Sequence, residues 1–281
     1  MTVPLACSVR ECGLPLARRA HAFVCSSGHS FDIARSGYVN LLQPQDRRSA
    51  HAGDPKEAVE ARAALEGAGI GRAVIDLIVA TVLALDPARD AVVVDLGCGS
   101  GEVLGTLCEP RLPAGIGIDL SVAAIDFAAR RLPALTWVVA NADRRLPLQD
   151  ASVDVVLSIH GRRNPPECAR VLRAAGALVI AVPAPDDLVE LRTFVQGRGV
   201  ERDRVDGLLR EHAAYFQPVD RVRSRERLTL GREELSSLLR GTYRAARFTV
   251  SDTVETMPTM EVTLSSEICV LRRVSAGSNR S

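Results

Sequence analysis

The chain has 281 residues and a formal net charge of +1 at pH 7, with 47% hydrophobic and 25% charged residues. This length accommodates one large domain and a small one, and the aliphatic content is ample for a core although aromatic residues make up only 4%. The near-neutral charge by itself says nothing about a polyanionic partner.

No apolar run approaches the length of a membrane span, and the first residues lack a basic start followed by an apolar stretch. The sequence therefore predicts neither a transmembrane helix nor a signal peptide. Seven cysteines, an odd number, favour a reducing compartment over a disulfide framework. We expect a cytoplasmic protein.

The first predicted element is a small metal-binding module over residues 1–42. Its candidate ligands form two short pairs on either side of a predicted hairpin: Cys7, Cys12, Cys25 and His29. Three thiolates and one imidazole close a tetrahedral Zn²⁺ site, and bound metal supplies folding energy that so small a core lacks. The Cys7 to Cys12 spacing is longer than usual but tolerated. Ordinary buried cysteines are the alternative reading, and His21 is a second candidate for the fourth ligand.

Residues 43–70 are predicted to be a linker followed by a helix. The segment 43–54 is polar, whereas 56–68 is rich in Ala and Glu and stops at a glycine-rich stretch. Apolar residues at helical spacing continue over 70–85. This pattern predicts a helix that packs on a sheet ahead of its first strand.

A glycine-rich turn after a buried strand is the strongest pattern in the chain. Residues 91–94 are apolar and lead to Asp95, which predicts a fully buried strand. The run Gly97-Cys98-Gly99-Ser100-Gly101 follows, and glycines allow a sharp turn and close approach of a ligand. A second strand, 115–118, leads to Asp119, at roughly the spacing at which an acid meets a ribose hydroxyl in dinucleotide folds.

The string Asp-Leu-Gly-Cys-Gly-Ser-Gly lacks the dinucleotide pattern G-x-G-x-x-G and resembles motif I of class I S-adenosylmethionine (SAM) methyltransferases. The resemblance implies an α/β fold with a Rossmann-like seven-stranded sheet over residues 71–275, leaving 276–281 as a disordered tail. A purely structural glycine turn is the alternative. The cofactor-binding residues implied are Asp95, Gly97, Cys98, Gly99, Gly101, Asp119, Leu120, Asn141, Ala142 and Asp143.

Two further predicted strands, 136–140 and 152–159, each lead to a polar turn. In this fold class the turn after the first of them faces the adenine, and Asp143 would accept a hydrogen bond from the adenine amino group unless it only caps the turn. The loop 160–167 follows the second, and ligands of doubly wound folds bind beyond such strand ends. The candidate catalytic residues in this loop are His160, Arg162 and Asn164.

The rest of the chain is predicted to complete the sheet. A fifth strand spans 176–182, and the segments 247–250 and 261–271 are expected to form the final hairpin. Residues 219–230 alternate imperfectly, with arginines on one face that either is solvated or meets RNA phosphates. These arginines are Arg221, Arg223, Arg225 and Arg227.

The N-terminal half as a whole resembles the RlmA family of 23S rRNA guanine-N1 methyltransferases. The resemblance is carried by C-x₄-C…C-x₃-H-x-F-D-x-A-R-x-G-Y-V-N-L-L, ending at Leu42, and by Gly53-Asp54 and Ala61-Arg62-Ala63. It implies a zinc-ribbon-like module, SAM and Zn²⁺ as cofactors, 23S rRNA as partner, and a homodimer. The branch that includes a tylosin-resistance enzyme is the most similar in pattern, which implies a role in macrolide-type antibiotic resistance.

Methylation of guanine N1 requires removal of its proton and stabilisation of charge on O6. His160 is the candidate base, although it replaces an apolar or aromatic residue of the relatives. Arg162 or Arg163 would donate to O6 or phosphate, and Asn164 would read the base edge. The alternatives are a small-molecule methyltransferase of secondary metabolism and a non-catalytic, SAM-binding protein associated with ribosomes.

Overall fold

The computed structural model describes residues 3–44, 53–108, 114–197, 199–242 and 259–274. Its strands, in chain order, are β1 (Ala17–Arg18), β2 (Ala22–Val24), β3 (Ser30–Asp32), β4 (Val39–Asn40), β5 (Val92–Leu96), β6 (Ala114–Asp119), β7 (Thr136–Val139), β8 (Val153–Ile159), β9 (Leu172–Pro183), β10 (Phe216–Gly231) and β11 (Thr259–Arg273). Its helices are α1 (Lys56–Gly67), α2 (Arg72–Ala84), α3 (Glu102–Cys108), α4 (Val122–Arg131), α5 (Pro165–Val171), α6 (Val189–Gln196), α7 (Val205–His212) and α8 (Arg232–Thr242).

Eight of the described strands form one mixed sheet in the order β10-β11-β9-β8-β5-β6-β7-β4. The strands from β4 to β9 lie parallel to their neighbours, whereas β11 is antiparallel to both β9 and β10. The predicted Rossmann-like α/β sheet is therefore confirmed, with one strand beyond the seven expected. The added strand is β4, which comes from the N-terminal segment and pairs with β7 at the edge.

The central strand β5 is buried along its whole length, as its unbroken apolar sequence predicts. Val92 and Val94 face a core cluster that includes α5 and α7, while Val93 faces the layer formed by α2, α3 and α4. Successive side chains of a strand point to opposite faces, so a layer of helices covers each side. The carboxyl ends of the parallel strands are thereby left at one edge, where ligands bind in such sheets.

The N-terminal module packs against the large sheet and shares its core. Leu5 and Phe23 belong to the same buried cluster as residues of β5, β6 and β8. The backbone N–H of Ala6 also donates to the carbonyl of Pro147 at 2.9 Å. Strands β1, β2 and β3 form a separate small antiparallel sheet within the module. The module is thus joined to the sheet by hydrophobic contacts as well as by the chain.

The final hairpin of the sheet differs from the predicted one. Strand β11 pairs with β10 from Phe216 opposite Arg273 to Gly231 opposite Thr259, whereas the segment 247–250 lies outside the described residues. The other side of β11 pairs with β9 only from Ser266 onward. Because β11 is antiparallel to β9, its first half extends past the carboxyl end of β9. There it packs with α1, α6 and α8 in a separate apolar cluster.

The predicted limits of the N-terminal module, the linker with its helix and the methyltransferase domain, 1–42, 43–70 and 71–275, stay predictions. The predicted tail, 276–281, lies outside the described residues. Within the described ranges, no single helix has the length and apolar character needed to cross a membrane. One bent pair, α1 with α2, meets those criteria together, at an angle of 83°.

Candidate active site and metal centre

Four turns meet at the carboxyl edge of the parallel strands. They follow β5, β6, β7 and β8, which are neighbours in the sheet and point the same way. The predicted cofactor-binding and catalytic residues all lie in these turns or at the strand ends that lead into them. The topology therefore brings together residues that are up to about 70 positions apart in the sequence.

The glycine turn after β5 has the backbone shape that its sequence predicts. Gly97, Gly99 and Gly101 all have positive φ, at 77°, 52° and 81°, a region that side chains disfavour. The N–H groups of Gly97 and Cys98 both donate to the carbonyl of Ile118, at 2.8 and 3.2 Å. A Cβ on Gly99 would meet no atom within 4 Å. This part of the turn faces open space that a ligand can occupy.

Asp95 is a buried carboxylate at the end of β5. It is 2% exposed, and its Oδ1 has no hydrogen-bond partner among the described residues. Burial, together with the negative charge of Asp119, raises the pKa of Asp95 to about 7. A buried acceptor without a partner is costly unless a ligand or water satisfies it. Its position beside the open glycine turn fits the ammonium and hydroxyl donors of SAM.

Asp119 connects the two turns at the ends of β5 and β6. Its Oδ2 accepts from the N–H of Gly99 at 3.0 Å, and its Oδ1 accepts from the N–H of Ser121 at 2.8 Å. Burial raises the pKa of Asp119, and the N–H donors of Ser121 and Gly99 oppose that rise. Leu120 lies between these contacts. The carboxylate is therefore held in one orientation beside the glycine turn.

The predicted adenine turn is tied to the predicted catalytic loop. Asn141 Oδ1 accepts from the N–H of Asp143 at 2.9 Å, which shapes the turn. The Asp143 carboxylate forms an ion pair with Arg162 at 2.9 Å, in a largely exposed position. Asn164 Nδ2 donates to the carbonyl of Asp143 at 3.2 Å. The structure thus brings two predicted catalytic residues against a predicted adenine-binding residue, and their roles, like that of Ala142, stay predictions.

His160 begins the loop after β8 in a left-handed conformation, with φ at 52°. The residue is exposed at the carboxyl edge. Desolvation, with a smaller effect from the charge of Arg204, lowers the pKa of His160 to about 4. Its Nε2 lies 2.9 Å from Ser266 Oγ of β11. The ring is neutral at pH 7 and is held by the strand that passes the end of β9.

The sequence analysis missed the close contact made by Gly161. A Cβ at this position would lie 2.7 Å from the carbonyl oxygen of Leu96, so only glycine lets the loop rest on the end of β5. The glycine itself was the available signal, since it lies two residues after the end of a buried strand, within the candidate catalytic loop. Gly161 therefore brings the loop after β8 into contact with the glycine turn after β5.

Arg163 turns away from this edge. Its Nε donates to His212 Nε2 at 3.3 Å, and a terminal N–H donates to the carbonyl of Gly161 at 3.2 Å. His212 is fully buried, and its Nδ1–H donates to the carbonyl of Leu208 at 2.8 Å. Of the two arginines considered as donors to the base, Arg163 anchors the loop to α7. Arg162 is the one that lies at the open surface.

The four predicted metal ligands form one compact cluster. The ligand atoms of Cys7, Cys12, Cys25 and His29 all lie within 4.8 Å of one another. The Sγ atoms of Cys12 and Cys25 are 3.9 Å apart, and His29 Nδ1 lies 3.4 Å from Cys7 Sγ. A tetrahedron with zinc–sulfur bonds of about 2.3 Å has edges of about 3.8 Å. The donor set and its spacing fit Zn²⁺, and His29 rather than His21 completes it.

The arginine face of β10 is occupied by acidic partners. Arg221 pairs with Glu267 at 2.9 Å, and Arg225 pairs with Asp186 at 2.8 Å. Arg223 also pairs with Asp186, and Arg227 pairs with Glu261 on β11. These contacts favour the reading of a solvated face whose charges are already paired over the reading of a phosphate-binding surface.

The parallel sheet, the glycine turn and the two strand-end carboxylates define a class I SAM-dependent methyltransferase. Two family models match the chain: the N-terminal zinc ribbon of RlmA over residues 6–50, and a methyltransferase domain over residues 93–179. The chain belongs to the family of 23S rRNA (guanine-N1)-methyltransferases with an RlmA-type zinc ribbon. The predicted family, fold class and cofactor pair, SAM and Zn²⁺, are confirmed.

The relatives support this assignment over most of the chain. The 23S rRNA (guanine(748)-N(1))-methyltransferase of Streptomyces fradiae is 35% identical over 82% of this chain and 81% of its own length. A candidate 23S rRNA (guanine-N1)-methyltransferase of Micromonospora griseorubida is 36% identical over 81% of this chain and 82% of its own. The solved structure of a candidate methyltransferase from Bacillus halodurans has a TM-score of 0.50 at 16% identity, covering 70% of this chain and 99% of its own, and shares the fold.

Proposed function

We propose that this protein transfers a methyl group from SAM to N1 of a guanine in 23S rRNA. The observation that carries the proposal is the zinc-ribbon cluster packed into the same core as the methyltransferase sheet. A methyltransferase sheet alone is compatible with many acceptors. The RlmA-type ribbon is the feature that this chain shares with relatives named for a reaction on 23S rRNA.

The cofactor is held at the carboxyl edge in this proposal. When bound, SAM supplies an electrophilic methyl group on its sulfonium. Asp119 accepts from the ribose hydroxyls, Asp95 faces the donors nearest the glycine turn, and the turn after β7 borders the adenine. These contacts orient the donor and exclude water, which is the main contribution a protein makes to an in-line displacement.

The loop after β8 receives the guanine in this proposal. His160 is the candidate to accept the N1 proton because it begins this loop and is neutral at pH 7, although its lowered pKa makes it a weak base in the unliganded protein. In the tautomer whose Nε2–H donates to Ser266 Oγ, Nδ1 is the accepting atom. Asn164 and Arg162 lie on the same loop, and contact with the substrate requires them to exchange their bonds to the 143–144 turn. N1 is hidden inside a base pair, so the target guanine is unpaired or flipped out.

The zinc module supplies a platform for RNA in this proposal. A groove of about 520 Å³ lies between its first Cys pair and the turn after β7, and arginines line it. Arg18, Arg19 and Arg35 are basic residues on the exposed or half-buried surface of the module. Arg47 and Arg48, in the polar segment that follows the module, lie outside the described residues. Contacts of this kind position RNA through its phosphates.

The test is primer extension on large-subunit rRNA incubated with purified protein and SAM. A methyl group on guanine N1 blocks base pairing, so a SAM-dependent stop at one guanine is expected. The stop should weaken strongly in His160→Ala and persist in Arg227→Gln. Absence of a stop on both naked rRNA and assembled subunits, with SAM binding intact, would contradict the proposal. Transfer to a small molecule, or no transfer at all, would then identify one of the two alternative functions.

Three further points extend the proposal. Resistance to macrolide-type antibiotics is the expected role, and expression of the protein in a sensitive host should raise the inhibitory concentration only with active enzyme. An rRNA substrate supports a cytoplasmic location.

The homodimer that the family resemblance implies predicts twice the mass of the 30.1 kDa chain in light scattering.

A further inference from the structure

The turn before α1 is clamped onto the residues that follow Asp119. Gly53 has φ at +84°, and a Cβ there would lie 2.5 Å from the backbone of Ser121. Ser121 Oγ donates to the carbonyl of Asp54 at 2.6 Å, and the N–H of Ser121 donates to Asp119 at 2.8 Å. A single residue, Ser121, therefore links Asp54 to the carboxylate assigned to the ribose.

This clamp brings an arginine of α1 toward the same carboxylate. One terminal nitrogen of Arg62 pairs with the carboxylate of Asp54 at 2.6 Å, and the other donates to the carbonyl of Gly241 in α8 at 2.9 Å. The Arg62 side chain is 29% exposed, so its charge is only partly screened. A planar guanidinium can satisfy two acceptors in fixed directions, which a lysine ammonium does less well.

The charges around Asp119 oppose each other. The Asp54 carboxylate raises the pKa of Asp119, and the Arg62 guanidinium lowers it. Asp119 in turn raises the pKa of the buried Asp95 carboxylate and of the Cys98 thiol. A carboxylate must be ionised to accept from both hydroxyls of a ribose. Arg62 therefore lies where its positive charge offsets the negative charges of Asp54 and Asp95 around Asp119.

The opposite end of α1 touches the glycine turn. Glu66 is one helical turn after Arg62, on the same face, and accepts from Ser100 Oγ at 2.5 Å. Arg131 of α4 bridges Glu66 and Glu102. Glu66 of α1 thus contacts the glycine turn, and Asp54, just ahead of the helix, contacts the residues after β6.

We propose that Arg62 is a positioning residue of the cofactor site, held by Asp54 and α8 so that its charge offsets the carboxylates around Asp119. Arg62 acts through Asp119 on the ribose and makes no contact with the transferred methyl group. The assignment rests on the proposed role of Asp119. In this assignment, Arg62 does more than fasten α1 to the rest of the domain.

The test is calorimetric titration of the full-length protein with S-adenosylhomocysteine, which carries the same ribose as SAM. Arg62→Met should weaken binding about 3- to 10-fold at pH 7.5, and the pH below which binding is lost should be higher than in wild type, because Asp119 then loses its charge at a higher pH. Arg62→Lys should recover part of the loss. Asp54→Asn should weaken binding less than Arg62→Met, because it loosens the arginine but also removes a negative neighbour of Asp119. Lys56→Met, an exposed charge on the same helix, is the matched control and should bind like wild type.

A mutant cycle separates this role from a structural one. In an Asp119→Asn background, Arg62→Met should cost little further affinity, since the two residues act as one unit. If Arg62→Met and Asp54→Asn weaken binding equally, the ion pair only fastens the turn to the domain, and the proposal is overturned. The proposal is also overturned if the losses of affinity from Arg62→Met and Asp119→Asn are fully additive in the cycle. Failure of the wild-type protein to bind S-adenosylhomocysteine would instead overturn the proposed cofactor site, and the assignment of Arg62 with it.

Discussion

Gly101 lies so close to Trp137 that a Cβ on the glycine would stand 2.3 Å from Cη2 of the indole. Gly117, directly across from Trp137 in the sheet, leaves room for the same ring. The indole is 1% exposed, and its N–H donates to the carbonyl of Leu132 at 2.9 Å. The indole of Trp137 therefore fills the space that Gly101 and Gly117 leave, and it packs against the glycine turn after β5.

Gly101→Ala should destabilise the protein and damage the cofactor site. The new methyl group overlaps the ring, and φ of +81° is unfavourable for alanine, which together cost about 2–4 kcal/mol. Trp137 is the single tryptophan of the chain, so its fluorescence reports the change directly. Gly67→Ala is the control, because nothing lies within 4 Å of a Cβ there. Equal melting temperatures for the two variants would refute this account of the turn.

Removal of a zinc ligand should unfold more than the zinc module. Cys25→Ser should reduce bound zinc from about one ion per chain to nearly none, measured by atomic emission. Because Leu5 and Phe23 belong to the core beneath β5, the melting temperature of the whole protein should fall as well. His21→Ala should keep its metal, since His21 lies outside the cluster. Purified wild-type protein that carries no zinc, even after addition, would contradict the assignment.

Asp95→Asn should change how the stability of the unliganded protein depends on pH. The pKa of Asp95 is raised by burial to about 7 when folded, against about 3.9 when unfolded. The folded state therefore binds the extra proton, and stability declines as pH rises from about 4 to 7. This decline is on the order of 2–4 kcal/mol in the wild type, and the asparagine variant should lack it.

Thermal melts at pH 5 and pH 8 measure the difference for Asp95→Asn. Wild type and variant should be closest at pH 5, and the variant should gain relative stability at pH 8. Addition of S-adenosylhomocysteine should stabilise wild type more than the variant, because only wild type offers a buried carboxylate to the ligand. Parallel melting curves at both values would show that Asp95 is ionised without penalty, and so is not an unsatisfied group.

Neutralising arginines of β10 should leave RNA affinity nearly unchanged. Arg225 and Arg227 already pair with Asp186 and Glu261, so Arg225→Gln and Arg227→Gln should alter affinity less than about twofold. Substitution of Arg18, at the end of β1, and of Arg19, directly after it, should instead reduce the salt dependence by about one unit per phosphate contact. Filter binding of an rRNA fragment at several salt concentrations measures both. A larger loss of RNA affinity in the β10 variants would indicate that the arginines of β10 contact RNA.

Much of the site was predictable because its signals are local. Each of these signals belongs to a short stretch of sequence whose residue types indicate their chemistry without knowledge of the fold. They are the glycine turn, the acids at two strand ends, and the Cys and His residues of the N-terminal module. The hydrogen-bond and ion-pair partners of the loop residues were less predictable. Arg163 and Arg162 are adjacent in the sequence, yet one binds a buried histidine in α7 and the other binds Asp143 at the surface. Nothing in the local string separates them.

The sequence by itself determined the buried central strands, the order of the turns at their carboxyl ends and the three cysteines of the zinc site. Runs of apolar residues specify burial, positive-φ glycines specify a turn, and ligand chemistry specifies a metal. The tertiary structure alone decided that β10 is the partner of β11, that the zinc module shares the main core, that His29 is the fourth ligand, and that the turn before α1 rests on Ser121 beside Asp119. Such contacts join residues far apart along the chain, and they depend on how whole elements pack, which no short string encodes.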